Sequence, residues 1–372
     1  MIIDIDATNI KTGGGLTHLK QIVENNRLEQ DSIHLIGGTW LDRIKGSNNV
    51  SKLIFKKEFK NKLNQEYFKA FKLEQILKKG DISFIPGGTF SSKKINYVSM
   101  SQNMLVFEEK ERNRFPRSLT WLRYLILERL QLKSFSNATG IIYISQYAKQ
   151  YIENKYPHLK SKKSTVIYHG ISDNFRQKPK KQKSIQEYSK QQPFKLLYIS
   201  IINYYKHQWN VIEAVKILRE KGYPIELELI GPINKSLRSK FDKCLKGTER
   251  YVNYRGKVPY EEISLSYKKA NMFLFASTCE NMPNILIEAM SAGLPILCSN
   301  YGPMPEVLKD AGAYMDPTQV DNISFNLERL LNETEIRQKI AQKAYNYSQD
   351  FSWEKTSKDT FDFIKRIAEE RK

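Results

Sequence analysis

The chain has 372 residues, with 60 lysines and arginines against 40 aspartates and glutamates, for a formal charge of +20 at pH 7. That length exceeds one ordinary hydrophobic core and suits two domains, while the charge implies an anionic partner: nucleic acid, a phosphorylated substrate or an acidic membrane surface. No apolar run reaches 18 residues and the opening Met1-Ile-Ile-Asp-Ile-Asp6 reads as a strand, so neither a membrane span nor a signal peptide is expected, and a cytosolic location is.

The first half alternates short β-rich runs with helical stretches. Strands are expected over 2–7, 32–36, 52–55, 82–85, 97–101, 140–144 and 164–168, and helices over 16–26, 61–79 and 119–134. Glycine-rich turns such as Gly37-Gly38 and Gly87-Gly88 separate them, a pattern that points to a parallel sheet covered on both faces. Residues 176–193 then change character: lysine-rich, polar and poor in apolar side chains, they read as an interdomain linker. The expected domains are therefore 1–175 and 194–353. A second βα series opens at Phe194, with strands over 194–200, 224–230, 251–254, 272–276, 294–298 and 312–315. Its helices are expected over 208–221, 233–246, 260–268, 284–292, 303–309, 321–333 and 335–348. A last helix after Trp353, within 354–372, finds no strand to cover in the second domain and is expected to cross back to the first.

Cys244, Cys279 and Cys298 have no metal-ligand spacing and read as reduced thiols. Cys279, beside Glu280 but with no histidine near it in sequence, reads as a small core residue rather than a nucleophile. No zinc-finger spacing, basic-region heptad or ribonucleoprotein signature accompanies the charge, so nucleic acid is not expected as a partner. Residues 112–133 mix arginines with Trp121, Tyr124 and several leucines. Two readings stand for them: a helix lying along an anionic leaflet, which would make the protein peripheral on the inner face of the plasma membrane, or an ordinary helix packed on its own domain.

The most informative stretch is Glu280-Asn-Met-Pro-Asn284-Ile-Leu-Ile-Glu288-Ala-Met-Ser-Ala-Gly293-Leu-Pro295, in a strand–loop–helix–strand unit. A helix opened by Pro283 or Asn284 directs its first N–H groups toward an anion. Glu288, interrupting an Ile-Leu-Ile run, is the acidic group such a helix keeps toward a polar crevice. In open parallel sheets the loops beyond the strand C-termini form that crevice.

Lys206-His-Gln-Trp-Asn-Val-Ile-Glu-Ala-Val215, the Glu280–Glu288 stretch and Gly302-Pro-Met-Pro-Glu306 resemble the donor domain of the retaining family 4 glycosyltransferases (group 1), as found among bacterial surface-polysaccharide enzymes. The resemblance implies the α/β GT-B fold, with two facing Rossmann-like domains and an interdomain cleft. It implies transfer of a hexosyl or deoxyhexosyl group from a nucleotide sugar to a glycan acceptor, lipid-linked in one reading. It makes Glu280 the partner of the donor sugar hydroxyls, places the amides of Met282, Pro283, Asn284 and Ile285 around sugar and diphosphate, and gives Glu288 the nucleotide ribose. Lys206 becomes the cation that offsets charge growing on the β-phosphate, a contact worth on the order of 3 kcal/mol in the transition state. The glycine-rich loop Lys11-Thr-Gly13-Gly14-Gly15 brings bare backbone toward phosphate and acceptor. Its spacing is not that of a nicotinamide enzyme. Gln102, Asn103 and Ser145 are candidate acceptor or sugar contacts, Ser145 with a helix cap as the competing role. His169-Gly170 resembles the family's hinge region, and Glu306 caps its short helix or braces the donor loop.

Two departures from the family matter. Ile201 stands where an arginine is usual, and Ser99-Met-Ser-Gln-Asn-Met104 lacks the first-domain histidine of many relatives. A front-face path, in which the departing phosphate oxygen takes the acceptor proton, is what the resemblance implies. The two carboxylates are binding groups and not a glycosidase pair. No cofactor is expected, and metal independence is. A GT-B nucleotide-sugar epimerase or phosphorylase is the enzymatic alternative, and a charge-driven nucleic-acid or membrane-binding module the non-enzymatic one.

Overall fold

The computed structural model describes residues 1–59 and 61–370. Contacts divide the chain into two compact units: Met1–Arg112 with Pro116–Gly170 and Ser352–Lys372, and Ile171–Phe351 with Asn113–Phe115.

The first unit contains strands β1 (Ile2–Asp6), β2 (Ser32–Gly37), β3 (Val50–Ile54), β4 (Ile82–Ile85), β5 (Tyr97–Ser101), β6 (Gly140–Tyr143) and β7 (Lys163–Val166), in the order β3-β2-β1-β4-β5-β6-β7, all parallel. Its helices are α1 (Gly13–Glu24), α2 (Lys62–Phe71), α3 (Leu73–Leu77), α4 (Glu109–Arg112), α5 (Leu119–Asn137) and α6 (Gln146–Lys155). The strands β4, β5 and β6 are buried along their whole length, as strands covered on both faces must be.

The second unit contains β8 (Phe194–Ile199), β9 (Ile225–Ile230), β10 (Val252–Gly256), β11 (Met272–Phe275), β12 (Ile296–Ser299) and β13 (Ala313–Met315), again parallel, in the order β10-β9-β8-β11-β12-β13. Between them run α7 (Gln208–Glu220), α8 (Arg238–Leu245), α9 (Tyr260–Lys269), α10 (Asn284–Ser291), α11 (Met304–Leu308), α12 (Val320–Asn332) and α13 (Thr334–Ser348). The strand order reverses direction between β8 and β11, so the loops after these two neighbours diverge into a crevice at the carboxyl edge.

The last helix, α14 (Trp353–Glu369), is strongly one-sided, burying Trp353, Phe361, Phe363, Ile364, Ile367 and Ala368. It belongs to the first unit, where the Ser357 hydroxyl donates to the Ile22 carbonyl at 2.6 Å and Ile367 and Phe363 pack against Gly140.

Three expectations need correction. The helix read over 61–79 is broken at Lys72 into α2 and α3. The sequence pattern gives no helix at α4, and at α6 only through the competing reading of Ser145 as a helix cap, because their polar, lysine- and glutamate-rich sequences carry weak apolar periodicity. Residues 176–193 are not a free linker: the Gln177 N–H donates to the Ser291 carbonyl at 2.9 Å, Gln182 N–H to Gln338 Oε1 at 2.8 Å, and the fully buried Arg337 reaches the Lys183 carbonyl. Composition suggested solvent, but backbone hydrogen bonds attach the segment to the second unit.

Candidate functional site

Lys206 lies in the loop after β8, and Glu280 in the loop after the adjacent β11. The Thr278 N–H donates to the Tyr205 carbonyl at 2.8 Å and ties the two loops together. The Tyr198 hydroxyl, rising from β8, donates to the Lys206 carbonyl at 2.6 Å and holds its backbone. The side chain, 5% exposed, passes the rings of Tyr205 and Phe275, with Nζ 5.1 and 5.3 Å from their centroids, and donates to Glu280 Oε1. A cation enclosed this way is desolvated, so its charge acts at short range with little screening. His207 follows in the left-handed region, at φ 49°, and begins α7. Burial, with the charge of Arg114 adding to it, pushes its imidazole down to about 4. It is a neutral neighbour of Thr278, with Nε2 3.3 Å from the Thr278 hydroxyl.

Helix α10 starts four residues after Glu280 and ends in a Schellman turn: the Gly293 N–H donates to Met290 O and the Leu294 N–H to Ala289 O. Gly293 has φ +65°, and a Cβ there would lie 2.7 Å from the Gln177 carbonyl oxygen, so this turn and the 176–193 segment require glycine. Pro283 supplies no N–H and no side chain caps the helix start. The expectation of a fan of open amides needs correction: the Asn284 N–H donates to Met282 O at 3.1 Å, and those of Leu286 and Ile287 donate to Pro283 O at 2.9 and 3.3 Å.

Glu288, about one turn along, is buried between two phenols that the sequence reading did not single out. The Tyr267 hydroxyl lies 3.0 Å from Oε2 and the Tyr260 hydroxyl 3.4 Å from Oε1, both from α9. Burial pushes the Glu288 carboxyl up to about 7, and the two tyrosine hydroxyls pull the other way. The only signal for them in sequence is their seven-residue spacing, which places both on one face of α9.

Gly14, Gly15, Gln102, Asn103 and Ser145 belong to the first unit. The glycines open α1 at the end of β1, where Gly13 takes φ +72°. A Cβ on Gly15 would lie 2.9 Å from Gln102 Oε1. Gly15, Gln102 and Asn103 line a cavity of about 1000 Å³ with Asp6, Asn9, Lys69 and Gln131. Asn103 is partly spent, since its Oδ1 accepts the Leu105 N–H at 3.1 Å. Ser145 is a correction: fully buried, it accepts the Ala148 N–H at 3.1 Å and is the N-cap of α6. Its capping role wins because the hydroxyl satisfies an otherwise orphaned helix donor.

In the stretch 112–133, Arg112 is buried and bonded to Glu128 at 2.7 Å and to the Val106 carbonyl at 2.8 Å. Helix α5 nevertheless exposes Leu119 (87%), Leu122, Ile126 and Leu130, positions that fall along one stripe. No helix among the described residues is long and apolar enough to cross a membrane. Among the same residues no three His, Cys, Asp or Glu side chains gather as a metal site would need.

Residues 179–347 match the family described as glycosyl transferases group 1. The O-antigen chain mannosyltransferase B of Escherichia coli is 31% identical over 178 residues, covering 46% of this chain and 45% of that protein. The chain spans about half the length of the curated relatives it matches. Among solved structures, sucrose-phosphate synthase from Thermosynechococcus elongatus superposes with a TM-score of 0.77 at 14% identity, covering 99% of both chains. Anabaena HepE in complex with UDP-glucose superposes with a TM-score of 0.70 at 18% identity, covering 99% of this chain and 98% of that one. The likeness to glycosyl transferases group 1 thus falls on residues 179–347, within the second unit, while the two doubly wound units have the GT-B fold.

Proposed function

We propose that the chain is a retaining glycosyltransferase that moves a hexosyl or deoxyhexosyl group from a nucleotide sugar to a glycan acceptor in surface-polysaccharide synthesis. The observation that carries this reading is the ion pair of buried Lys206 with part-buried Glu280 at the switch point between β8 and β11, followed on α10 by Glu288. The likeness to HepE, solved in complex with UDP-glucose, and to the O-antigen chain mannosyltransferase B supports the donor class and the pathway class.

In this reading the bond from the sugar's anomeric carbon to the diphosphate oxygen breaks while the acceptor hydroxyl oxygen bonds to the same face. The acceptor proton passes to the departing phosphate oxygen. Lys206, already desolvated, offsets the charge that builds on that oxygen, and needs no solvent reorganisation to do so. Glu280 shares the Lys206 ammonium and keeps an oxygen for a sugar hydroxyl, while Glu288 accepts from the ribose. The pair binds and positions.

Lipid-linked acceptors and a peripheral place at the inner membrane face belong to the same proposal. Their support is the exposed Leu119–Leu122–Ile126–Leu130 stripe beside Arg123 and Arg129. Calorimetry with UDP-, GDP- and dTDP-sugars against wild type and Glu288→Ala tests the reading. Selective binding lost in the variant is the expected result. No binding to any donor, with steep salt-dependent retention on polyanions, favours the charge-driven module instead.

A further inference from the structure

Glu288 has two oxygens, each facing one phenol, and the two phenols are unlike each other. Tyr267 is 1% exposed, packed edge-on against Phe175 and beside Phe273, and its hydroxyl lies 3.0 Å from Glu288 Oε2 and 3.1 Å from the Ile285 carbonyl oxygen. A phenol carries one proton, so it donates to only one of these acceptors at a time. With Glu288 ionised the proton goes to the carboxylate, the stronger acceptor. With Glu288 protonated the carboxyl can donate to the phenol oxygen, and the phenol to Ile285. Tyr260 is 45% exposed, at the first position of α9, and its 3.4 Å contact to Oε1 is long for an O–H···O bond.

We propose that Tyr267 is the fixed positioning residue that stabilises the ionised form of Glu288 and aims it, and that Tyr260 is an exchangeable donor whose hydroxyl holds the place a nucleotide hydroxyl takes. The proposal rests on the reading of Glu288 as a nucleotide-binding carboxylate. A buried carboxylate without donors bears a large desolvation cost. Tyr267 lowers that cost permanently because its ring is locked in the core. The Tyr260 ring meets Phe175 at 5.5 Å between centroids, and its exposure to solvent gives it room to swing aside. A ligand hydroxyl then gives Oε1 a shorter bond than the one it replaces.

The titratable groups that act on Glu288 are these two tyrosines, and Glu261 acts in turn on Tyr260. The other elements packed on α10 are the turn 173–175, α11 and α13. They carry Asp173, Glu306, Glu335, Arg337, Lys339, Lys343, Tyr345 and Tyr347. Arg337 is spent on the Leu330 and Leu331 carbonyls.

Tyr267→Phe and Tyr260→Phe in the full chain keep both rings and remove one hydroxyl each. Infrared titration of the carboxyl band, identified by its loss in Glu288→Gln, needs no ligand. The expected result is a midpoint raised by about one pH unit in Tyr267→Phe, a tenfold change in proton affinity, and by less in Tyr260→Phe. A Tyr267→Phe midpoint equal to wild type overturns the anchor. Calorimetry with UDP, GDP and dTDP above neutral pH tests the exchange. Tyr260→Phe is expected to bind as well as wild type or better, and Tyr267→Phe about tenfold more weakly. A tenfold loss in Tyr260→Phe overturns the exchangeable role. If wild type binds none of the three, the nucleotide reading of Glu288 and the exchange both fall, while the titration still decides whether Tyr267 anchors the carboxylate.

Discussion

Lys206 and Glu280 come from loops 74 residues apart and meet as an ion pair in which the lysine is almost wholly enclosed. Neighbouring parallel strands on either side of a reversal in strand order bring them together, and the Thr278–Tyr205 backbone bond sets their separation. Desolvation of two charges is costly unless each is the other's partner, so the pair is a device whose halves should not be removable separately.

Lys206→Ala is expected to lower kcat by about a hundredfold or more while donor affinity falls less, because the cation matters most when charge develops on the leaving phosphate. Steady-state kinetics with the donor found by calorimetry checks this. Normal kcat in the variant removes Lys206 from that role. Lys206→Ala also leaves Glu280 without its cation, so a loss of thermal stability is expected alongside, and Lys206→Ala/Glu280→Gln should recover part of it without restoring turnover.

Stability should carry an unusual pH signature from Glu288. Its carboxyl is raised from an ordinary 4.5 to about 7 in the fold, so between these values the native state holds a proton that the unfolded chain has released. Stability contributed this way is present below about 4.5 and is lost as pH rises through 7, by up to about 3 kcal/mol. His207, lowered to about 4 by burial, works in the opposite sense: its contribution is present above 6.5 and is lost as pH falls toward 4. The difference in unfolding free energy between Glu288→Gln and wild type isolates the first effect. That difference should grow in favour of the variant from pH 4.5 to 7, as read by urea denaturation, and a flat difference contradicts the burial of the carboxylate.

Arg337 is wholly buried, with its guanidinium on the carbonyls of Leu330, Leu331 and Lys183. Replacing it with alanine leaves buried carbonyls unsatisfied and a void, at a cost of roughly 3 to 5 kcal/mol. Chemical denaturation is expected to show that loss. Limited proteolysis should show new cleavage within 178–191, the segment Arg337 helps hold. Resistance equal to wild type means other contacts suffice to hold it.

If α5 touches lipid, Leu119→Ser with Ile126→Ser should abolish sedimentation with phosphatidylglycerol liposomes, and Arg123→Gln with Arg129→Gln should make the residual binding insensitive to salt. These side chains lie on an exposed face, so folding should not suffer. Unchanged association would assign the stripe to another partner.

Composition and periodicity alone determined the two βα series, the parallel sheets and nearly every strand, because a strand buried on both faces must be continuously apolar and α/β alternation leaves few topologies. The Glu280–Glu288 spacing and Lys206 were legible too, since each sits in a motif whose residues are close in sequence. Tertiary structure decided what depends on residues distant in the chain. It paired Lys206 with Glu280, set Tyr260 and Tyr267 on Glu288 and fastened the polar 176–193 run through its backbone. Local sequence records which side chains prefer water or a core; which donor reaches which acceptor, and how far burial moves a carboxyl's proton affinity, is set only when the packed elements exclude solvent around them.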